Sequence, residues 1–192
     1  LAKGNRVIGT VRCLDRAQAS LPTLLKSSIE LVQWDMSNPR RIIEILTEYH
    51  PVEIYNFAAY SSGSGMFDEP AKIAEVNGLA VTHILEAIRL VDNKIRFCQA
   101  SSREVFGEAL ESPQTELTRT NPRSPYGAAK LYADSMNRIY RKHYGVFACS
   151  AILFNHESPR RGETFVTRKI TKALGRIHLG IQEKLTLGNL DA

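Results

Sequence analysis

Short runs of β-branched and apolar residues alternate along this chain with longer stretches of helical periodicity, and that alternation constrains its fold more than any other feature. Residues 6–11, 29–33, 52–58, 95–100 and 146–154 read as strands. The last three are apolar enough to predict strands covered on both faces, as in a parallel sheet. Residues 39–49 read as a helix, with Ser37 as its cap and Pro39 in its first turn. Residues 70–90 place Ile73, Val76, Leu79, Ala80, Ile84 and Ile88 at helical spacing. Further helices are predicted over 126–144, stopped by Gly145, and over 165–179, followed by a short strand at 184–187. Strand and helix in this order argue for βαβ units and an α/β, doubly wound parallel sheet.

The 192 residues suffice for one domain with a sizeable core, and 43% of them are hydrophobic, as in a globular chain. No apolar run approaches the ~20 residues of a membrane span, so no membrane partner is expected. The net charge of +5 is mildly basic. No basic helix supports a nucleic-acid partner, and a small anionic ligand such as a dinucleotide or nucleotide sugar accounts for the charge equally well. Cys13, Cys98 and Cys149 show no metal-like spacing, so no metal is expected. Cys98 and Cys149 sit in apolar runs and read as buried thiols of a cytoplasmic protein. The start, Leu1-Ala2-Lys3-Gly4, reads as the tail of a helix, so a first strand and its phosphate-binding turn are expected before it. Gly63-Ser64-Gly65 lacks the third glycine of such a turn.

Tyr126 and Lys130 stand four residues apart at the predicted start of a helix, on one face, with a rise of ~6 Å between them. There the lysine charge and the helix N-terminus both favour phenolate, which would let Tyr126 move a proton on or off a hydroxyl. Ser102 and Glu104 follow the strand over 95–100. Ligands of an open parallel sheet bind outside the carboxyl ends of its strands, so this hydroxyl and carboxylate are expected to face the same pocket as the phenol.

The segments Gln99-Ala100-Ser101-Ser102-Arg103-Glu104-Val105-Phe106-Gly107 and Ser124-Pro125-Tyr126-Gly127-Ala128-Ala129-Lys130 resemble an extended short-chain dehydrogenase/reductase. Asn155-His156-Glu157-Ser158-Pro159-Arg160-Arg161-Gly162 and Phe165-Val166-Thr167-Arg168-Lys169 are similar, more closely, to the GDP-mannose 4,6-dehydratase family. The resemblance implies a Rossmann-like sheet lacking its first strand and most of its C-terminal substrate lobe. Residues 1–154 would form a partial dinucleotide-binding domain and 155–192 the start of the nucleotide-sugar region.

On the family's pattern Tyr126 would take the sugar 4-hydroxyl proton, Lys130 would lower the phenol's pKa and hold the nicotinamide ribose, and Glu104 would take the C5 proton and assist loss of water. Ser102 would hydrogen-bond the 4-oxygen where the family usually has threonine. Asn155, Glu157, Lys169 and Asn189 match substrate-binding positions, and Ser61 would touch the hexose. Asp35 and Met36 match an adenine-contacting pair, Ala58, Ala59 and Tyr60 would approach the cofactor, and Arg160 and Arg161 resemble a loop that reaches a neighbouring subunit's cofactor. Arg12 stands after a strand where NAD-selective proteins carry an acid, which points to the 2′-phosphate of NADP. Tyr60 and Ser62 replace the family's glutamine and histidine. His156 reads as structural, and Tyr132, Tyr140 and Tyr144 as a packed helix face. A homodimer or homotetramer formed through the long helices is implied.

Three functions stay open at this point. They are conversion of GDP-mannose to its 4-keto-6-deoxy form, epimerisation or reduction of another nucleotide sugar, and a non-catalytic remnant that binds or assembles.

Overall fold

The computed structural model describes residues 4–22, 25, 28–60 and 67–188. Its elements run β1 (Val7–Val11), α1 (Leu14–Ser20), β2 (Ile29–Gln33), α2 (Pro39–Tyr49), β3 (Glu53–Asn56) and α3 (Pro70–Ala74). A π-helical turn (Glu75–Leu79), α4 (Ala80–Val91), β4 (Arg96–Ser102), a 3-10 turn (Arg103–Val105), α5 (Pro125–Tyr144), β5 (Ala148–Leu153) and α6 (Val166–His178) follow. Every strand pairing is parallel, as the alternation requires. The strands form two groups, however, β1–β2 and β3–β4–β5. Among the described residues β1 bonds only to β2, and β3 only to β4, so each keeps one edge without a strand neighbour. The break falls where a doubly wound sheet of order 3-2-1-4-5 places its first strand.

Local chemistry sets the helix boundaries. Asn38, and not Ser37, caps α2: its side chain accepts the N–H groups of Arg40 and Arg41, because Asn38 directly precedes Pro39, whose fixed φ begins the helix. Ser37 instead donates its hydroxyl to Asp35 at 2.7 Å. Ser124 caps α5 by accepting the Gly127 N–H at 3.1 Å, and Gly145, at φ 67°, ends it as expected.

The helix predicted over 70–90 is interrupted by the π-helical turn. Residues 184–187 form no strand. α1 has no counterpart in the sequence reading, because it buries none of its residues and so carries no apolar face to detect.

One core joins both strand groups. Val32 and Trp34 next to α2's Ile42 and Leu46 pack with Ile84 and Ile88 of α4, Phe97 of β4 and Ala133 of α5, all buried. The expected covering of both faces is not met. Tyr55 of β3 is 61% exposed, and Cys98 and Cys149, paired in register, are half-buried free thiols. Their neighbours Ser101 and Ser150 bond to α5, so the alternation of a strand turns both cysteines to the opposite, thinner side. Of the tyrosine series only Tyr140 is buried; Tyr132 and Tyr144 are more than two-fifths exposed. No described helix is long and apolar enough to cross a membrane.

Candidate active site

Ser102 ends β4, Glu104 lies in the 3-10 turn behind it, and Tyr126 opens α5. The Ser102 hydroxyl oxygen accepts the Glu104 N–H at 3.2 Å, which fixes the turn and leaves the hydroxyl proton free to point outward. The first turn of α5 presses against this turn so closely that a Cβ on Gly127 would lie 2.6 Å from the Glu104 carbonyl oxygen. Glycine is therefore required at 127 for the phenol and the carboxylate to share one site. Tyr126 is half-buried there, and both Ser102 and Glu104 act on its acidity. Burial raises the phenol above its ordinary value, the Ser102 hydroxyl opposes that rise, and the Glu104 charge adds to it.

The expected depression of Tyr126 by Lys130 is not what this arrangement produces. The Lys130 ammonium lies over the ring, 5.6 Å from its centroid, and donates to the Ala100 carbonyl at 2.8 Å, not to the phenol oxygen. It is 1% exposed, and burial lowers its pKa to about 8. Beneath it runs a buried polar seam that no sequence pattern announced. Gln99 Nε2 also donates to the Ala100 carbonyl at 2.9 Å, Asn56 Nδ2 donates to Gln99 Oε1 at 2.8 Å, and Ser101 Oγ donates to Asp134 Oδ2 at 2.6 Å. Alternation could have flagged Gln99 and Ser101 as inward-facing polar residues of β4, the one available signal.

The second region is a cavity of about 450 Å³ at the carboxyl ends of β1, β2 and β3. Arg12, Asp35, Met36, Ala58, Ala59 and Tyr60 all line it, as expected of cofactor-contacting residues, together with Thr10, Trp34 and Lys72, which the sequence reading missed. Asp35 is held below the usual carboxylate range by its Ser37 hydrogen bonds, with Arg12 and Lys72 adding to the effect. Asn77, in the π-helical turn, fixes one rim: its side chain accepts the Tyr60 N–H at 2.7 Å and donates to the Tyr60 carbonyl at 3.0 Å. Cations beside small apolar residues and a fixed backbone suit an anionic nucleotide.

The remaining predicted residues lie elsewhere. Asn155 is exposed after β5, and Lys169 is exposed on α6. Glu157 accepts the Thr167 hydroxyl at 2.5 Å and pairs with Arg161 at 3.5 Å, while Arg161 stacks on Phe165. This loop is thus tied to itself and to the start of α6. Arg160 is exposed, and His156 bonds its own chain at the Phe154 carbonyl, as a structural histidine does. Ser61 and Asn189 lie outside the described residues. No cluster of metal-ligating side chains occurs among the described residues.

The sequence profile of the family described as GDP-mannose 4,6 dehydratase matches residues 1–192. The chain belongs to the GDP-mannose 4,6-dehydratase family. It is 47% identical over 160 residues to the GDP-mannose 4,6-dehydratase of Yersinia enterocolitica, covering 82% of this chain and 43% of that protein. Against that of Sinorhizobium fredii it is 50% identical over 160 residues, covering 82% and 46%; against the human protein, 43% over 170 residues, covering 88% and 46%. The chain therefore spans less than half the length of these family members. Among solved structures it superposes on RMD from Pseudomonas aeruginosa complexed with NADPH with a TM-score of 0.74, at 22% identity, over 93% of this chain and 63% of that one. On the UDP-glucose 4-epimerase of Thermotoga maritima the TM-score is 0.79, at 22% identity, over 93% and 57%. These two likenesses establish the Rossmann-like fold.

Proposed function

We propose that this chain carries the proton-handling half of a GDP-mannose 4,6-dehydratase that works with NADP. The observation that carries the proposal is the meeting of Ser102, Glu104 and Tyr126 at one turn, in a chain matched by the family over its whole length.

Two different protons must move in such a reaction, and two different groups stand ready for them. Tyr126 would take the proton of the sugar 4-hydroxyl as phenolate, a form that burial disfavours here and that the positive charge of the oxidised cofactor, when bound, would favour, while the Ser102 hydroxyl steadies the 4-oxygen. The 4-ketone that results acidifies the C5 proton. Glu104 takes that proton and assists departure of the 6-hydroxyl as water. NADP, when bound, would supply the hydride acceptor for C4 and the donor for C6, and one proton, matching the one that Tyr126 took, would return to C5. Arg12, Asp35, Met36, Ala58, Ala59, Tyr60 and Lys72 would hold its adenosine end. Lys130 would hold its ribose near Tyr126, and Arg160 and Arg161 would reach a neighbouring subunit's cofactor. Asn155, Glu157, Lys169, Ser61 and Asn189 remain the substrate-binding assignments. Exposed Tyr132, Ile139 and Tyr144 on α5, with Leu79 and Leu90 beside α4, offer an apolar surface for a second copy of the chain.

The test is Glu104→Gln in the complete protein supplied with GDP-mannose. Dehydration should fall at least 100-fold while oxidation at C4 continues. Unchanged formation of the 4-keto-6-deoxy product would remove Glu104 from the mechanism. The same assay run with other nucleotide sugars separates a dehydratase from an epimerase or reductase, since only the first loses water.

A further inference from the structure

We propose that Asp134 is a positioning residue that keeps the Lys130 ammonium charged, one helical turn behind it on α5. The proposal rests on the reading of Lys130 as the residue that holds the cofactor's ribose near Tyr126.

Lys130 is buried, yet its recorded hydrogen bond goes to a neutral carbonyl that Gln99 already shares. A buried ammonium of this kind needs an opposite charge nearby. Asp134 is the only buried carboxylate among the described residues, at 8% exposure, and it lies at i+4 from Lys130 on the same helical face. Its Oδ2 accepts from Ser101, while its Oδ1 has no hydrogen-bond partner. Burial pushes the Asp134 carboxyl above its ordinary value, and Ser101 and Ser150 oppose that rise; Ser150 itself accepts from Asn137 Nδ2 at 2.9 Å.

Asp134 makes no direct ion pair with Lys130; its charge acts on the ammonium across the gap between two buried side chains one helical turn apart. The other charged or titratable groups facing them are Tyr126 and Arg138 on α5 and Glu104 from the 3-10 turn, whereas β4 and β5 contribute the neutral hydroxyls of Ser101 and Ser150. Burial pulls Lys130 down to about 8, and the Asp134 charge resists that pull. Without that charge the lysine titrates lower still and is neutral over much of the physiological range, so it no longer presents a cation beneath the phenol.

The measurement is a pH titration of this chain carrying 13Cε-labelled lysine, followed by NMR. Lys130 should titrate near 8 in the parent. In Asp134→Asn the midpoint should fall by about one pH unit, and Asp134→Glu should restore it. An Asp134→Asn midpoint equal to the parent's overturns the proposal. Should that variant not fold, the 13Cγ shift of Asp134 in the parent decides: a carboxylate ionised at pH 7 supports the pairing, and a protonated acid ends it. Neither readout depends on turnover, so failure of the dehydratase reading leaves this result standing.

Discussion

The turn between β4 and α5 and the cavity beside β1 and β2 are both built at strand ends, yet they are made of different material. At the first, Lys130, Asp134, Gln99 and Ser101 are buried and joined by hydrogen bonds, and the Gly127 backbone is pressed against Glu104. At the second, Arg12, Asp35 and Lys72 are exposed, and Lys72 pairs loosely with Glu69 at 3.5 Å. Proton transfer needs groups whose acidity is set before substrate arrives, which requires burial and fixed neighbours. Holding a charged nucleotide needs cations that stay hydrated until the ligand replaces the water. Where a side chain sits in the dielectric would thus separate the residues proposed to react from those proposed to grip.

Substitutions in the two regions should break differently. Gly127→Val should have the largest effect, a loss of about 3 kcal/mol from overpacking, read as a lower midpoint in denaturant. A midpoint within experimental error of the parent's would mean that the turn yields, and the contrast with the cavity would fade.

Lys130→Met should come next. The folded-state pKa near 8 lies below the ordinary 10.5, so between those values the unfolded chain binds more protons and stability rises with pH. Below about 8 the full penalty for the buried charge is present. Removing the ammonium lifts that penalty but leaves the buried Asp134 carboxylate without its nearby cation, so the variant should be destabilised at pH 7 by about 2 kcal/mol and lose the rise in stability between pH 8 and 10.5. Thermal melts across that range check both parts, and an unchanged slope would contradict them.

Asn77→Ala should cost about 1–2 kcal/mol, since it strips the Tyr60 N–H and carbonyl of their partner, and it should speed hydrogen exchange at the Tyr60 amide. Smallest is Arg12→Gln in the complete protein. Affinity for NADP should fall roughly tenfold, about 1.4 kcal/mol, with NAD affinity little changed. Equal affinities for both cofactors before the substitution would show that Arg12 does not read the 2′-phosphate.

Period and punctuation made much of this legible from residues alone. Pro39 and Gly145 marked helix ends because fixed or left-handed φ leaves a chain few choices. The β2 strand came out at its observed bounds, and Ser102, Glu104 and Tyr126 do converge. Partners distant in sequence stayed hidden. Asp134 reads as one more helix polar residue until Ser101, 33 positions away, is seen to donate to it. Asn77 looks like an unremarkable helix asparagine, because a π-helical turn leaves no trace in an apolar pattern that stays helical on either side. The direction in which Lys130 points was equally out of reach, since spacing places a side chain on a face without naming its acceptor.

Among the described residues the outer edges of β1 and β3 have no strand neighbour. A strand edge of free N–H and carbonyl groups is a template for another extended backbone, and near β3 that edge is flanked by Val52 and Phe57, 69% and 67% exposed. A lysine in place of Val52 would set a charge beside that edge and discourage pairing between copies of the polypeptide.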